Sequence, residues 1–401
     1  MIDASRATRV LHVTPYLEPA WAYGPVAHNV MNLARAQVQT GDRASVLTTD
    51  ALAPHERLPA GEAVVDGVRV VRVRNLSGAA RTWLGLSTPP AMGRHLRTLL
   101  AERAFDVVHL HELRTVENLV VAAVLSTDVP IVLSPHGGPD TRNDGTWFAT
   151  LWDATVGDRV LSRVRQFVAD TAPEADRIRA WCARRGLHVR PVSVVMEGMD
   201  LAAFTVPGDA CAARGRFGLH DGPVVLFVGH IRDRRTIQLL IDAFAAALLD
   251  HPRAQLLVVG PDHGALTHAQ RAVADRDLAA VVRFAGHLGG ADLRAAFAAA
   301  DLLALPVFEP GAAPPLEALQ ALASGVPVVL RASCNLPVAQ RGAGLEVAPD
   351  AGAWARAVSS ALAAGEERQS AMRDQARALA QEYTWPATAA ALKRVYDAAR
   401  S

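Results

Sequence analysis

The chain has 401 residues, half of them hydrophobic and a fifth charged, with 41 Lys+Arg against 40 Asp+Glu. At roughly 150 residues per domain this is a globular protein of two to three domains, neither disordered nor basic enough to bind nucleic acid by net charge. Nearly all the positive charge is arginine, and Lys393 is the only lysine. Cys182, Cys211 and Cys334 are isolated, without CxxC or metal-ligand spacing, which fits a reducing cytosol. The start MIDASRATRVLHVTPY lacks the apolar stretch of a secretory signal. No run reaches the ~18 apolar residues of a membrane span. A cytoplasmic protein is expected.

In chain order, short apolar runs alternate with amphipathic stretches. RVLHV at 9–13 reads as a buried strand. Residues 26–40 put Val26, Val30, Leu33 and Ala34 near one helical face, Gly41 follows as a stop, and a strand resumes at 44–48. Strands follow at 105–110 and 130–134, with a helix-like stretch between, and 192–195 is strand-like. Residues 207–222, with Pro207, Gly208, Gly215, Gly218 and Gly222, read as loop-rich. Then come strands at 223–229, 255–260, 281–285, 302–307 and 327–330, with helices at 236–249 and 314–324. Such alternation predicts an α/β protein with parallel sheets covered by helices. We read two such domains, joined near 196–206. Open parallel sheets bind ligands beyond the carboxyl ends of their strands, and two of them make the cleft between them the expected site.

The segment LLALPVFEPGAAPPLEALQALASGVPVVL, from Leu302, is the most informative. Glu309 lies just past a strand, Pro314 and Pro315 fit a helix start, Glu317 falls in or near the first turn, and Gly325 fits the stop. The loop carrying Gly311, Ala312 and Ala313 brings small residues and backbone N–H groups to a helix N-terminus, a ready site for a diphosphate. Two carboxylates beside it suit sugar hydroxyls, which donate hydrogen bonds. His136, followed by two glycines, closes another strand; His109 and His111 sit inside a strand pattern and read as core or supporting groups. Asp275-Arg276-Asp277 matches a metal-binding DxD but lies in a polar link that reads as a solvated turn. The Arg-rich stretch at 177–190 reads as a solvated helix, with contact to anionic lipid the alternative. No Gly-x-Gly-x-x-Gly follows the first strand, and no P-loop or Gly-x-Ser-x-Gly occurs.

Glu309, seven residues, Glu317 and then ALASGVPVV resemble the EX7E segment of family 4 retaining glycosyltransferases. DVVHLH at 106–111, SPHG at 134–137, MEGMD at 196–200, LFVGHIRDRRTIQLLIDAF, VRFAGHL and the Tyr383-Thr-Trp385 segment resemble the other signatures of that family in order. The resemblance implies the GT-B fold: two Rossmann-like, doubly wound parallel-sheet domains facing a central cleft. It implies an acceptor domain at 1–200, a nucleotide-sugar domain at 201–382, and a last helix at 383–401 that crosses back. It implies transfer of a sugar from a UDP- or GDP-sugar to an acceptor hydroxyl with retention. The acceptor would be a glycan, a lipid-linked compound or a small molecule. No metal and no cofactor are implied, and a lipid-linked acceptor would bring peripheral contact with the inner membrane face. Glu317 inherits the donor ribose, and Glu309 and His136 the donor sugar. Gly24, His230, Arg235, Gly311, Ala312 and Ala313 inherit donor contacts. The chain departs from the family where His230 replaces an arginine, Thr236 a glycine and Pro25 the second of two glycines. Those departures motivate one alternative, a sugar-nucleotide-binding protein without transfer; a second, another GT-B enzyme such as an epimerase, is disfavoured by the EX7E spacing and the VRFAGHL loop.

Overall fold

The computed structural model describes residues 7–76, 89–102, 104–137, 147–186, 190–206, 208–306, 314–332 and 334–401. They divide into two units, Met1–Gly198 with Trp385–Ser401, and Met199–Thr384.

The first unit holds β1 (Arg9–Val13), β2 (Arg43–Thr49), a small hairpin of β3 (Ala51–Ala53) and β4 (Glu56–Arg57), β5 (Gly61–Val65), β6 (Val68–Val73), β7 (Val107–His111), β8 (Ile131–Ser134), β9 (Val164–Ala169) and β10 (Val192–Val194). Eight of these form one sheet in the order β10-β9-β8-β7-β1-β2-β6-β5. Its pairs are parallel except the antiparallel β5–β6 edge. Because strand residues alternate faces, β1 is buried on both sides. Leu11 and Val13 meet Leu110, Leu133 and Phe167 on one face. Val10 packs with Val107, Val132 and Val168 on the other, against Leu33 of the helix Val26–Gln39 and Leu392 and Tyr396 of the last helix, Trp385–Arg400. The last helix is pinned to this unit by polar contacts as well. Lys393 Nζ lies 2.9 Å from Asp42 Oδ1, and Thr388 Oγ1 donates to the Met196 carbonyl at 2.9 Å.

The second unit holds β11 (Val224–Val228), β12 (Gln255–Val259), β13 (Val282–Gly286), β14 (Leu302–Leu305), β15 (Val328–Arg331) and β16 (Gly344–Val347). They pair in the parallel order β13-β12-β11-β14-β15-β16, the doubly wound 3-2-1-4-5-6 arrangement. Strand order reverses between β11 and β14 here, and between β1 and β7 in the first unit. The loops leaving those strands are therefore where each sheet offers a crevice to a ligand. The helix Arg234–Asp250 covers the second sheet with Ile237, Leu240, Ile241, Phe244 and Ala247, a stripe at helical spacing.

Two sequence expectations change. Residues 207–222 are not all loop: a helix, Ala210–Arg216, lies within them, started by Asp209, whose side chain accepts from the Cys211 and Ala212 N–H groups. Glycine content misled here, because a good cap outweighs one internal glycine. The β5–β6 hairpin was also missed, although its Asp66-Gly67 turn, with φ of 52° and 80°, is a strong hairpin signal. The Asp275–Asp277 stretch is the C-terminal turn of the helix Leu266–Ala274, with Asp275 N–H bonded to the Arg271 carbonyl. No helix among the described residues is long and apolar enough to cross a membrane.

Gly260 shows how tightly the β11 and β12 ends approach. Its φ is +146°, and a Cβ there would lie 1.8 Å from the Gly229 carbonyl oxygen. Gly264, at φ +100°, has open space around it. Gly260→Ala should therefore cost about 2 kcal/mol or more, and Gly264→Ala only its backbone strain, about 1 kcal/mol. Urea denaturation of the two variants checks the order; equal losses would contradict the close approach.

Candidate functional site

The carboxyl edge of the first sheet gathers polar side chains from five strands. One sheet face changes character along its length: Val10, Val107 and Val132 lie at its amino end, and His12, His109, His111 and Ser134 follow two or four residues later. His12 pairs directly with His109 across β1 and β7. Beyond the strands come Glu112, His136, Asp170 and Glu197.

Glu174 sets the positions of two of these loops. Thr171 caps the helix Ala172–Arg184 and accepts from the Glu174 N–H, a Thr-x-x-Glu start. The buried Glu174 carboxylate then accepts from Gly137 N at 3.0 Å and Asp170 N at 2.8 Å. His136 adopts φ +53°, which turns its ring inward. There its Nε2 lies 2.9 Å from His111 Nδ1, and its Nδ1 lies 3.0 Å from Glu197 Oε1 and 3.9 Å from Asp170 Oδ2. The other Glu197 oxygen accepts from Asn29 Nδ2. Behind His111 the chain of contacts continues: His111 Nε2 to His12 Nδ1 at 2.9 Å, and His12 Nε2 to Gln37 Oε1 at 2.7 Å. A branch runs from Gln37 Nε2 to the Tyr396 hydroxyl at 3.1 Å, on to His109 Nδ1 at 2.8 Å, and from His109 Nε2 to Ser134 Oγ at 2.8 Å.

These environments separate the protonation states. Burial pushes His12 down to about 4, partly offset by the Gln37 contact. Burial also drives His109 and His111 well below the usual histidine range, aided by neighbouring ring charge. At His136 burial again opposes the charge, but Glu197, Asp170 and Glu112 outweigh it and raise the ring to about 9. Burial lifts the Asp170 carboxyl to about 7, against the pull of His136 and with the push of Glu197 and Glu174. Partial burial works against the charge at Glu197 as well, yet His136 and Asn29 hold it below the usual carboxylate value. The accessible groups are thus the carboxylates: the His136 side chain is 9% exposed, Asp170 22% and Glu197 28%.

Two groups of described side chains bring three potential metal-ligating atoms within 4.8 Å of one another: His12, His109 and His111, and His136, Asp170 and Glu197. In the first, all six ring nitrogens already have hydrogen-bond partners. In the second, the His136 nitrogen that would face a metal forms the ion pair with Glu197. The first is a hydrogen-bonded network and the second an ion-paired one in this geometry.

Gly24, at φ +100° after the turn Trp21–Tyr23, also lies in the first unit. His230, Arg235 and Glu317 lie in the second, so the predicted residues fall on two units. His230 is exposed and stacks on His263 with ring centroids 4.4 Å apart. Arg235 is exposed in the first turn of Arg234–Asp250. That helix start is already capped: Asp233 accepts from the Arg235 and Thr236 N–H groups and from Thr236 Oγ1. Glu317 is partly exposed in the first turn of the helix Leu316–Ala323, which has no side-chain cap among the described residues. Glu309, Gly311, Ala312 and Ala313 lie outside the described residues. Sequence reasoning missed His12, Gln37, Asp170 and Glu197. Glu197 had a signal, since it lies in the MEGMD segment that resembles a family signature; the others had none.

Two doubly wound parallel sheets, each with its crevice loops at a strand-order reversal, define a GT-B fold. The solved structures agree. Sucrose-phosphate synthase of Thermosynechococcus elongatus superposes with a TM-score of 0.59 at 21% identity over 98% of this chain and 99% of its own. HepE of Anabaena, solved with UDP, gives 0.61 at 17% identity over 98% and 100%. The description "Glycosyl transferase 4-like domain" matches residues 24–193, and "Glycosyl transferases group 1" matches 222–364. A D-inositol 3-phosphate glycosyltransferase of Kineococcus radiotolerans is 30% identical over 96% of this chain and 93% of its own length. A phosphatidyl-myo-inositol mannosyltransferase of Mycobacterium tuberculosis is 31% identical over 71% and 68%. The chain belongs to this group 1, family-4-type glycosyltransferase family.

The buried histidines make stability depend on pH. His12, His109 and His111 are neutral when folded and take up protons near about 6.5 when unfolded. Folding stability should fall as pH drops from about 6.5 through about 4, with His12 alone accounting for about 3 kcal/mol. Asp170 binds its proton in the folded state and offsets one of the three, so unfolding should take up about two protons in this window. Denaturant unfolding from pH 7 to pH 4.5 measures the slope. A flat profile would contradict the neutral histidine cluster.

Proposed function

We propose that this glycosyltransferase moves a sugar from a UDP- or GDP-sugar to an acceptor hydroxyl with retention of anomeric configuration and without a bound metal. Glu317 carries the reading. It follows β14, one of the two strands at the order reversal of the second sheet, and stands in the first turn of a helix with no side-chain cap among the described residues. A carboxylate there accepts hydrogen bonds from both hydroxyls of a ribose. In the sequence Glu309, Gly311, Ala312 and Ala313 come just before it, and they serve the donor sugar and the diphosphate. The helix start after β11, the other reversal strand, supplies Arg235, exposed like His230, which stands in the preceding loop at the position of the family's arginine. Because Asp233 already caps that helix, arginine side chains rather than helix N–H groups meet the diphosphate from this side.

The chemical requirement is to stabilise charge on the departing diphosphate. Backbone N–H groups and arginine supply that, and a departing phosphate oxygen takes the proton of the incoming hydroxyl. The acceptor belongs on the first unit, where ionised Glu197 and its neighbours accept bonds from hydroxyl groups. The relatives' names point to a polyol hydroxyl, free or lipid-linked, and the lipid-linked case brings the enzyme to the inner membrane face.

Calorimetry with UDP, GDP and ADP, alone and as sugar conjugates, identifies the donor. Glu317→Gln should weaken nucleotide binding about 10- to 150-fold, the loss of bonds to a charged acceptor. Unchanged affinity would remove Glu317 from the ribose. Turnover should persist in EDTA; loss restored by Mn²⁺ or Mg²⁺ would overturn the metal-free reading. Donor binding without transfer to any acceptor would favour a binding protein instead.

A further inference from the structure

We propose that His111, His12 and Gln37 form a positioning relay that holds the His136 ring doubly protonated against Glu197, so that His136 serves sugar transfer as a fixed cation that keeps Glu197 ionised for a substrate hydroxyl. The proposal rests on the reading above that the loops after β8 and β10 face substrate.

The direction of the relay follows from what each atom can donate. Gln37 lies on the helix Val26–Gln39 and is 1% exposed. Its Nε2 donates to the Tyr396 hydroxyl, which leaves Oε1 facing His12 Nε2 at 2.7 Å. An amide oxygen only accepts, so His12 Nε2 carries the hydrogen. A neutral imidazole has one donor and one acceptor nitrogen. His12 is wholly buried and neutral, so its Nδ1 accepts from His111 Nε2 at 2.9 Å. His111 is neutral for the same reason, and its Nδ1 accepts from His136 Nε2 at 2.9 Å. His136 therefore donates at Nε2. Its Nδ1 faces Glu197 at 3.0 Å and Asp170 at 3.9 Å, carboxylates that accept. Both ring nitrogens carry a hydrogen.

The branch closes the network and fixes the amide. Tyr396 accepts from Gln37 and so donates to His109 Nδ1, and His109 Nε2 donates to Ser134. With Gln37 turned over, every bond of the relay would reverse, and His136 would keep one hydrogen, on Nδ1. The surrounding charge decides against that. Glu112, from the end of β7, Asp170, from the end of β9, and Glu197, after β10, bear on the ring, and Glu174 holds the next backbone N–H. The other titratable neighbours, His12, His109 and His111, are neutral, and Asn29 of the first helix is bound to Glu197. A positive ring among carboxylates is the paired arrangement.

The output is at Glu197. It is more exposed than His136 and held ionised by it, so it accepts a hydroxyl of the acceptor or the sugar. His136 itself has no nitrogen free for substrate and takes no proton from it. His111 touches no substrate and acts only through His136.

Ring-nitrogen NMR of ¹⁵N-histidine-labelled enzyme tests this directly, because imidazolium and the two neutral tautomers have distinct ¹⁵N shifts. At pH 7.5 the wild type should show His136 as imidazolium and His12 and His111 as neutral rings with hydrogen on Nε2; the His136 midpoint should lie near 9. His111→Phe removes the acceptor of the Nε2 hydrogen and should lower that midpoint by about one to two pH units. His111→Asn places an acceptor where Nδ1 stood and should restore it toward wild type. The alkaline fall of kcat should move with the midpoint in both variants. Wild-type His136 titrating near the ordinary value of about 6.5, or His12 and His111 with hydrogen on Nδ1, would overturn the relay even if the variants do not fold. A kcat profile that ignores a shifted midpoint would overturn its role in transfer. Absence of any sugar transfer by the wild type would count against the proposed function, while the spectra still decide the ring states.

Discussion

Buried imidazole nitrogens must be paired, and in this protein that requirement organises the carboxyl edge of the first sheet. A line of hydrogen bonds runs from Gln37 through His12 and His111 to His136, and an ion pair continues it to Glu197. It links the first helix, β1, β7 and the loops after β8 and β10. Its branch through Tyr396 joins the last helix to the same network. A carboxylate beside the loops, Glu174, fixes the backbone from the other side. Shape and protonation at this edge are therefore one problem: the contacts that place His136 also determine its charge.

The second unit solves a different problem with simpler means. Its strands run in the doubly wound order, and close approach of β11 and β12 demands glycine at position 260. Two helix starts leave the reversal point. One is capped by its own Asp233, and the other, at Leu316, has no side-chain cap among the described residues and carries Glu317. A capped start keeps its N–H groups for itself, and an uncapped start leaves them for a ligand. On the proposed reading, the diphosphate meets arginine side chains on one side and backbone groups on the other.

Much of the fold was legible because parallel strands buried on both faces read as apolar runs. β1 was placed at its observed bounds, and most of the other foreseen strands within one or two residues. The helix at Ala210–Arg216 was hidden by glycines, and the β5–β6 hairpin lay outside the strand–helix alternation that guided the reading. The site was legible only where chemistry is local in sequence. Glu309 and Glu317 share one short segment, and His136 announces itself by the glycines after it. The relay was not, because its contacts join residues far apart: Asn29 and Glu197 are separated by 168 positions and His12 and His111 by 99. His109 and His111 read as core or supporting histidines, and the structure buries both. No pattern within β7 reveals that they are wired to Gln37 and Tyr396.

The central proposal is that this protein transfers a sugar with retention of configuration. The most direct measurement is NMR of the product formed from an α-linked UDP- or GDP-sugar and a polyol acceptor, reading the anomeric proton coupling before any mutarotation. The account predicts an α-linked product in the same configuration as the donor. A β-linked product would contradict it.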